Sequence, residues 1–163
     1  MGVIEIRPAT AADEGAIWAI FHEVVASGDA FAFSPETPRQ QALDLWMPPE
    51  HATYVARVDG HVVGSYFLTP NQPGLGAHVC NAGYMVAGRA RGQGVGRAMG
   101  EHSLAEARRL GYRAMQFNIV VTTNTHAVSL WKSLGFHVVG TLPEAFRHSQ
   151  HGFVDALVMY RSL

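Results

Sequence analysis

Residues 86–99 read VAGRARGQGVGRAM, a glycine-rich segment between a predicted strand and a predicted helix. Basic residues flank a run of three alternating glycines, Gly92, Gly94 and Gly96. Glycine lacks a Cβ atom, so it permits a positive φ and a close approach of the backbone to a ligand. The helix that follows adds unpaired N–H groups and the positive end of its dipole. The segment therefore predicts a loop that binds a phosphate or pyrophosphate group.

Two well-known phosphate loops do not match this segment. The P-loop requires glycine, four residues and then Gly-Lys followed by Ser or Thr, and the chain contains no such string. The dinucleotide pattern G-x-G-x-x-G requires a third glycine three residues after a G-x-G pair. Counting from Gly92 or from Gly94 places that third position on Arg97 or Met99. The segment therefore disfavours a nucleotide-binding regulatory domain.

A third phosphate-loop pattern, Arg/Gln-x-x-Gly-x-Gly/Ala, does fit the spacing of Arg91, Gly94 and Gly96. It resembles the acetyl-CoA pyrophosphate loop of the GCN5-related N-acetyltransferase (GNAT) superfamily. Residues 124–136, NTHAVSLWKSLGF, are similar to the N-x-x-A-x-x-L-Y-x-x-x-G-F segment that lines the pantetheine arm in that superfamily. The two segments follow each other in the expected order. The resemblance covers nearly the whole chain, although residues 1–50 match loosely.

The GNAT resemblance implies acetyl-CoA as co-substrate and no metal. It also implies a backbone N–H that donates to the thioester carbonyl from a bulge in the strand before the loop, at Met85 or Val86. The residues implied for cofactor binding are Met85, Val86, Arg91, Gly92, Gln93, Gly94, Val95, Gly96, Arg97, Asn124, Ala127 and Trp131.

The chain departs from the family pattern at Trp131, where many relatives have a tyrosine. A phenol can protonate the leaving thiolate, whereas an indole N–H has no useful acidity. We therefore expect the thiolate to take its proton from water or from the acceptor, with Trp131 packed beside the pantetheine arm.

Length and composition predict one globular domain over residues 1–163. Apolar residues make up 48% of the chain, which is enough for one core. The formal net charge is −1, so no broad electrostatic field favours nucleic acid or an anionic membrane as a partner. The sequence shows neither an apolar run of membrane-spanning length nor a leader pattern. The single cysteine, Cys80, fits a reducing compartment, so we expect a cytoplasmic location.

The order of predicted elements indicates an α/β (α+β) fold. Strands are predicted at 3–7, 53–58, 61–69, 78–86, 113–121, 135–141 and 153–160. Helices are predicted from the Thr10–Asp13 capping box to Ser27-Gly28, and at 39–46, 95–110 and 124–134. The Asp59-Gly60 turn makes the first part antiparallel, and the two later crossovers make the rest parallel. The result is a mixed sheet of six or seven strands with helices on both faces, which the GNAT resemblance also implies.

Three asparagines stand in or beside predicted strands, where a side-chain amide packs poorly: Asn81, Asn118 and Asn124. An amide offers two donors and one acceptor, so it can hold a carboxylate without adding net charge. Structural roles remain open beside this one. Asn124 is suited to capping a helix, and Asn81 to satisfying an irregular strand.

A narrower resemblance concerns residues 80–86, 94–101 and 117–120. These segments are similar to those of the fungal proline-analogue acetyltransferases, which acetylate azetidine-2-carboxylate and related cyclic imino acids. The resemblance implies that Asn81 and Asn118 bind the acceptor. It also places Asn124 at the cofactor or the acceptor.

The expected chemistry assigns catalysis to Asn118 and the Val86 backbone, and assigns Phe31 and Phe33 to the wall of a pocket for a small ring. The acceptor amine cannot attack until it loses a proton, so a base or a chain of waters is expected near the thioester. The candidate bases, which the sequence does not rank, are Glu23, His78 and Asp155.

Two alternative functions stay open. One is the bacterial amino-acid acetyltransferase group that acts on phosphinothricin and methionine sulfone, which residues 24–37 resemble loosely. The other is an acyl-CoA sensor without catalysis, which the missing tyrosine at 131 keeps in play. A homodimer through Trp46 or the C-terminal strand is also open. His148 and His151 are expected to be solvated loop residues and not metal ligands.

Overall fold

A seven-stranded mixed sheet organises the chain, in the strand order β1-β2-β3-β4-β5-β7-β6. The computed structural model describes residues 2–163. The strands are β1 (Ile4–Pro8), β2 (Ala52–Val58), β3 (His61–Pro70), β4 (Val79–Val86), β5 (Ala114–Val121), β6 (His137–His148) and β7 (Gly152–Ser162). The α-helices are α1 (Glu14–Ala26), α2 (Arg39–Trp46), α3 (Val95–Arg109) and α4 (Thr125–Ser133).

The β2–β3 hairpin turns at Asp59 and Gly60, as predicted. Both residues have positive φ, 51° and 80°. A two-residue turn with φ positive at both positions matches the right-handed twist of the strands that it joins. The antiparallel pairing then continues through β4.

Helices cover both faces of the sheet, which confirms the predicted layers. On one face, α1 and α2 bury Ile17, Phe21 and Trp46 against the sheet. The buried Trp46 indole donates to Ser65 Oγ at 2.9 Å, so its polar atom is satisfied. On the other face, α3 and α4 bury a second cluster that includes Met99 and Trp131.

The end of the sheet differs from the prediction. β7 lies between β5 and β6 and is antiparallel to both, so the second crossover does not create a pair of neighbouring parallel strands. β6 also continues to His148 instead of ending at Thr141. The longer strand includes Pro143, which cannot donate a hydrogen bond to a ladder. The strand accommodates it at the sheet edge, within a register shift between Leu142 and Phe146.

β4 and β5 form the parallel pair, and they separate soon after they meet. Their register includes only Val79 with Ala114 and Cys80 with Met115. At the point of divergence, Asn81 Nδ2 donates to the carbonyl oxygen of Gln116 at 3.0 Å. Ligands of open α/β sheets bind beyond the carboxyl ends of parallel strands. The gap between these two strands is therefore the natural place for a site.

Candidate functional site

A cavity of about 1000 Å³ lies between the end of β4, the loop before α3 and the segment from Thr123 through α4. Eleven of the twelve residues predicted to contact the cofactor line it: Met85, Val86, Arg91, Gly92, Gly94, Val95, Gly96, Arg97, Asn124, Ala127 and Trp131. Gln93 does not, because its side chain donates to the carbonyl oxygen of Arg89 at 3.2 Å. The fold thus brings together two sequence segments that were separate in the chain.

The loop before α3 has the backbone of an anion site. Gly92 and Gly94 have positive φ, 74° and 83°, and Gly94 is the N-cap of α3. The first bond of the helix runs from Ala98 N–H to the Gly94 carbonyl at 3.0 Å. The N–H groups of Val95, Gly96 and Arg97 are therefore the orphan donors of the helix N-terminus.

Steric crowding does not explain why glycine occupies positions 92 and 94. A Cβ added at Gly92 or Gly94 would meet no atom of the protein within 4 Å. The left-handed conformation is what disfavours other residues there. The open space beside both glycines is also the space through which a phosphate would approach the backbone.

Charged side chains fasten this loop to its neighbours. Arg97 donates to Ser133 Oγ at 2.6 Å, which links the start of α3 to the end of α4 across the cavity. Glu23 of α1 accepts from the N–H of Gly88. Glu23 lies outside the cavity lining, so it holds the start of the loop and does not face a substrate as the predicted base would.

A smaller cavity of about 320 Å³ adjoins the large one. The four residues predicted to bind the acceptor line it: Phe31, Phe33, Asn81 and Asn118. The residues that line both cavities are Ala30, Phe31, Tyr84, Asn124, Ala127 and Trp131. Among the residues that line the small cavity, none carries a charge. It is therefore an aromatic and aliphatic chamber whose polar side chains are amides.

Asn118, which lines the small cavity, belongs to a connected set of amides. Gln116 Nε2 donates to Asn118 Oδ1 at 2.9 Å, and Asn118 Nδ2 donates to Asn71 Oδ1 at 2.8 Å. Asn118 lies in a register shift of β5 between Phe117 and Val120. Such an irregularity re-aims a side chain beside a site. Sequence reasoning missed Asn71, which lies in the loop directly after β3.

Asn124 performs the capping role that was left open. Its Oδ1 accepts from the N–H of Ala127 at 3.3 Å, at the start of α4. The same residue also lines both cavities. Capping and ligand contact are therefore compatible at this position.

The predicted bulge in β4 is wrong, because the β3–β4 register is continuous from Pro70–Cys80 to Gly64–Val86. The hydrogen bond from Ala87 N–H to Val63 O shows which residues at this end of β4 direct their N–H groups to β3. Alternate residues of a strand direct their N–H groups to opposite sides. The N–H of Met85 therefore points to β3, and that of Val86 points to the gap. The separation of β5 exposes this donor without a bulge.

The model of the acetyltransferase (GNAT) family matches residues 10–136. The chain belongs to this family. A GCN5-related N-acetyltransferase from Kribbella flavida is 51% identical, with a TM-score of 0.94 over 98% of each chain.

Curated GNAT relatives share less sequence. The N-acetyltransferase aca1 of Schizosaccharomyces pombe is 34% identical over 68% of this chain, which spans 53% of that protein's length. A phosphinothricin N-acetyltransferase of Streptomyces viridochromogenes is 29% identical over 89% of this chain and 81% of that protein. The chain thus spans about half the length of the first of these relatives and most of the second.

The GNAT tyrosine position holds Trp131, which is 8% exposed. Its ring lies 4.7 Å from that of Tyr84 and 4.6 Å from that of Phe117, centroid to centroid. Tyr84 does not replace the missing acid. Its hydroxyl lies 2.6 Å from Ser103 Oγ, and Ser103 donates to the Gly100 carbonyl, so the phenol proton is directed to Ser103. Burial also raises the pKa of Tyr84.

The three predicted bases of this GNAT chain lie outside both cavities. His78 is exposed ahead of β4. Asp155 accepts from the N–H of Glu144 at 2.9 Å, which supports the irregular part of β6. The titratable side chains that do line the large cavity, apart from Tyr84 and the two arginines of the loop, are Asp29, His126 and His148.

His148 contradicts the prediction of a solvated loop residue. It ends β6, is 9% exposed, and lines the large cavity. Within residues 2–163, no group of three His, Cys, Asp or Glu side chains is placed to hold a metal ion. In the same range, each helix is too short or too polar to cross a membrane.

Proposed function

We propose that this GNAT-family protein transfers the acetyl group of acetyl-CoA to the nitrogen of a small α-amino or α-imino acid. The small cavity carries this proposal. It is uncharged, it is walled by aromatic rings and amides, and it opens onto the large cavity beside Tyr84 and Trp131. A compact acceptor with one carboxylate fits such a chamber, because amide N–H groups can bind the carboxylate without a buried cation.

Acetyl-CoA suits the large cavity from the loop to the strands. The backbone donors at 94–97, with Arg91 and Arg97, supply contacts for its pyrophosphate. Charge-assisted hydrogen bonds of this kind are worth about 1.5–3 kcal/mol each. The N–H of Val86 supplies a donor for the carbonyl oxygen of the thioester, which gains negative charge as the amine attacks.

The chemical step forms a C–N bond and breaks the C–S bond. The acceptor nitrogen first loses a proton, and the departing thiolate gains one. Because Trp131 and Tyr84 supply none from the cavity wall, we assign the thiolate proton to water or to the acceptor. Trp131 then serves as a packing surface for the pantetheine arm.

Cyclic imino acids are the preferred acceptor class within this proposal. Phe31 and Phe33 stack on each other with their centroids 5.9 Å apart, and both line the small cavity. A flat wall of this kind suits a small aliphatic ring. The amides of Asn81 and Asn118 are the proposed partners of the acceptor's polar groups, and Asn118 has a catalytic role in holding the acceptor beside the thioester.

A second candidate is a phosphinothricin- or methionine-sulfone-type acceptor, which the Streptomyces relative favours. Phosphinothricin carries a phosphinate in addition to its α-carboxylate. The small cavity offers no cationic side chain for this second anion. The structure therefore supports the imino acid more strongly.

The proposal also covers the domain, the location and the assembly of the protein. We propose one domain over residues 1–163 that works in the cytoplasm, where the single thiol of Cys80 stays reduced. That thiol is buried, and burial raises its pKa to about 12. We also propose a homodimer through the C-terminal strand, where Phe153 is 65% exposed. The alternative contact at Trp46 is wrong, because that side chain is fully buried.

An acceptor panel tests the proposal. Release of CoA thiol is measured with azetidine-2-carboxylate, proline, methionine sulfone, phosphinothricin, a polyamine and a peptide N-terminus. We expect the highest kcat/KM with azetidine-2-carboxylate. Preference for the polyamine or the peptide would overturn the proposed acceptor class. Binding of CoA without turnover of any member of the panel would instead support the sensor.

A further inference from the structure

One wall of the large cavity carries polar groups that the proposed chemistry has not used. It consists of Asp29, in the segment after α1, and His148, at the end of β6. Ala30 and Phe31, next to Asp29 in the chain, line both cavities. The wall therefore lies where the acceptor must meet the thioester.

Two hydrogen bonds tie these segments together. Ser149 N–H donates to the Gly28 carbonyl at 3.0 Å, and Ser149 Oγ donates to the Ser27 carbonyl at 2.8 Å. Ser149 and Gly28 are the chain neighbours of His148 and Asp29. The two side chains are thus carried by backbone segments in direct contact, although they are 119 positions apart in the sequence.

Hydrogen bonds to one ring nitrogen of His148 determine which of the two nitrogens carries the proton of the neutral ring. Nδ1 accepts from the backbone N–H groups of Gln150 and His151, at 3.0 and 3.2 Å. The neutral ring therefore carries its proton on Nε2. His148 is only 9% exposed, and within residues 2–163 every fully buried polar side-chain atom has a partner. Nε2–H, which has no partner in the protein, is accordingly open to the cavity.

Asp29 has the opposite character. It is the acidic residue among those that line the two cavities. Its Oδ1 lies 2.6 Å from the hydroxyl of Ser27, whose single proton is also within reach of the Val24 carbonyl at 2.7 Å. A carboxylate accepts hydrogen bonds and attracts cations, whereas a neutral imidazole with Nε2–H only donates on that side.

A free amino or imino acid presents both matching groups close together, a cationic nitrogen and a carboxylate on neighbouring atoms. We propose that Asp29 accepts a hydrogen bond from the acceptor's amine and that His148 Nε2–H donates to its carboxylate. The wall then selects zwitterions over simple amines. Asp29 holds the nitrogen beside the thioester while its proton leaves to solvent, and the amides of the small cavity bind the second oxygen of the carboxylate.

This inference rests on the proposed function, and substrate analogues separate the two. The wild type, Asp29→Asn, His148→Ala and His148→Gln are assayed with azetidine-2-carboxylate and with its methyl ester, which retains the amine and masks the carboxylate. The matched controls are Asp44→Asn, an exposed acid on α2, and His137→Ala, an exposed histidine on β6. KM is measured for the acceptor and for acetyl-CoA.

We expect Asp29→Asn and His148→Ala to raise the acceptor KM about 10- to 100-fold, as loss of a charge-assisted bond does. KM for acetyl-CoA should stay within about twofold, and both controls should match the wild type. His148→Gln retains a donor and should recover part of the loss. The methyl ester should be a poor acceptor for the wild type. His148→Ala should reduce activity on the ester only slightly further, because the ester has already lost the carboxylate contact.

Other outcomes overturn the inference in distinguishable ways. If both variants are active and their acceptor KM is unchanged, the proposed roles of Asp29 and His148 are refuted, whereas the proposed function stands. An equal rise in KM for acetyl-CoA assigns the residues to the cofactor and also refutes it. A wild type without activity on amino or imino acids refutes both proposals. If His148→Ala does not fold, the ester comparison is made with His148→Gln, whose acceptor KM must then lie above that of the wild type.

Discussion

The amide of Asn118 donates to Asn71 Oδ1 at 2.8 Å, which joins the irregular part of β5 to the loop after β3. Gln116 holds the other end of the Asn118 amide. Both polar atoms of Asn118 are therefore positioned before any acceptor arrives. The second N–H of Nδ2 remains for a ligand, since an amide nitrogen carries two hydrogens.

Asn118→Ala should raise the acceptor KM or lower kcat, and should leave the affinity for CoA near that of the wild type. The reason is that Asn118 lines the small cavity and not the large one. Steady-state kinetics and a CoA titration check this. An equal loss of acceptor and CoA binding would assign Asn118 to the cofactor.

Asn71→Ala should produce a weaker version of the same effect, because it removes a hydrogen bond that orients Asn118. A neutral hydrogen bond contributes about 0.5–1.5 kcal/mol, so we expect acceptor kcat/KM to fall about 2- to 10-fold. Gln72→Ala, an exposed neighbour in the same loop, is the control. An effect of Asn71→Ala that persists undiminished in an Asn118→Ala background would show that the two residues do not act together.

Gly94→Glu should abolish CoA binding, because it places bulk and negative charge where the backbone approaches the pyrophosphate. Gly96→Glu should do the same. A thermal shift with CoA is a direct measure, since a ligand that binds the folded state raises Tm. Gly111→Glu is a matched control at the other end of α3. Its φ is 89° and a Cβ there also meets no atom within 4 Å, so it carries the same backbone strain away from the site. A normal CoA shift in Gly94→Glu would refute the loop assignment.

Most residues predicted for the two parts of the site line the two cavities, and those predicted for the cofactor come from local motifs. The loop at 91–97 and the segment at 124–131 are local motifs, and their glycines and helix cap are recognisable from neighbouring residues alone. The fold brings these two motifs together around the large cavity, beyond the point where β4 and β5 separate. Phe31 and Phe33 line the small cavity, although their sequence neighbours did not show which residues they pack against.

The errors have a common cause in long-range pairing. The insertion of β7 between β5 and β6 depends on a hairpin whose strands are irregular, and no local pattern shows which neighbour the last strand will choose. Asp29 and His148 escaped notice for the same reason, since the contact between Ser149 and Gly28 brings them to one wall. The candidate bases Glu23, His78 and Asp155 lie outside both cavities, and their positions along the predicted strands and helices did not show which groups face the site.

Trp131→Phe should retain kcat within about threefold, because the indole N–H supplies no proton to the reaction. The variant should be less stable. The indole is buried against Tyr84 and Phe117, and the smaller ring leaves part of that space empty. Turnover at saturating substrates and Tm are the two measurements. A tenfold loss of kcat with unchanged KM values would show that the indole takes part in the chemistry.

Asp13 makes stability depend on pH. Its carboxylate is 5% exposed, accepts from both terminal nitrogens of Arg7 at 2.8 and 3.0 Å, and accepts from Thr10 N–H at 2.8 Å. The Arg7 contact lowers the pKa of Asp13 below its ordinary value. A carboxyl whose pKa is lowered by folding stabilises the protein above its unfolded pKa of about 3.9, and that stability is lost as the pH falls further.

Loss of a capping contact costs about 1 kcal/mol, so Asp13→Asn should lower Tm by about 2–4 °C at pH 7. The difference from the wild type should shrink steadily below pH ~4, whereas Asp44→Asn, on an exposed acid, should track the wild type throughout. A Tm difference for Asp13→Asn that stays constant from pH 7 into the acid range would show that the charge of Asp13 contributes nothing to the capping box.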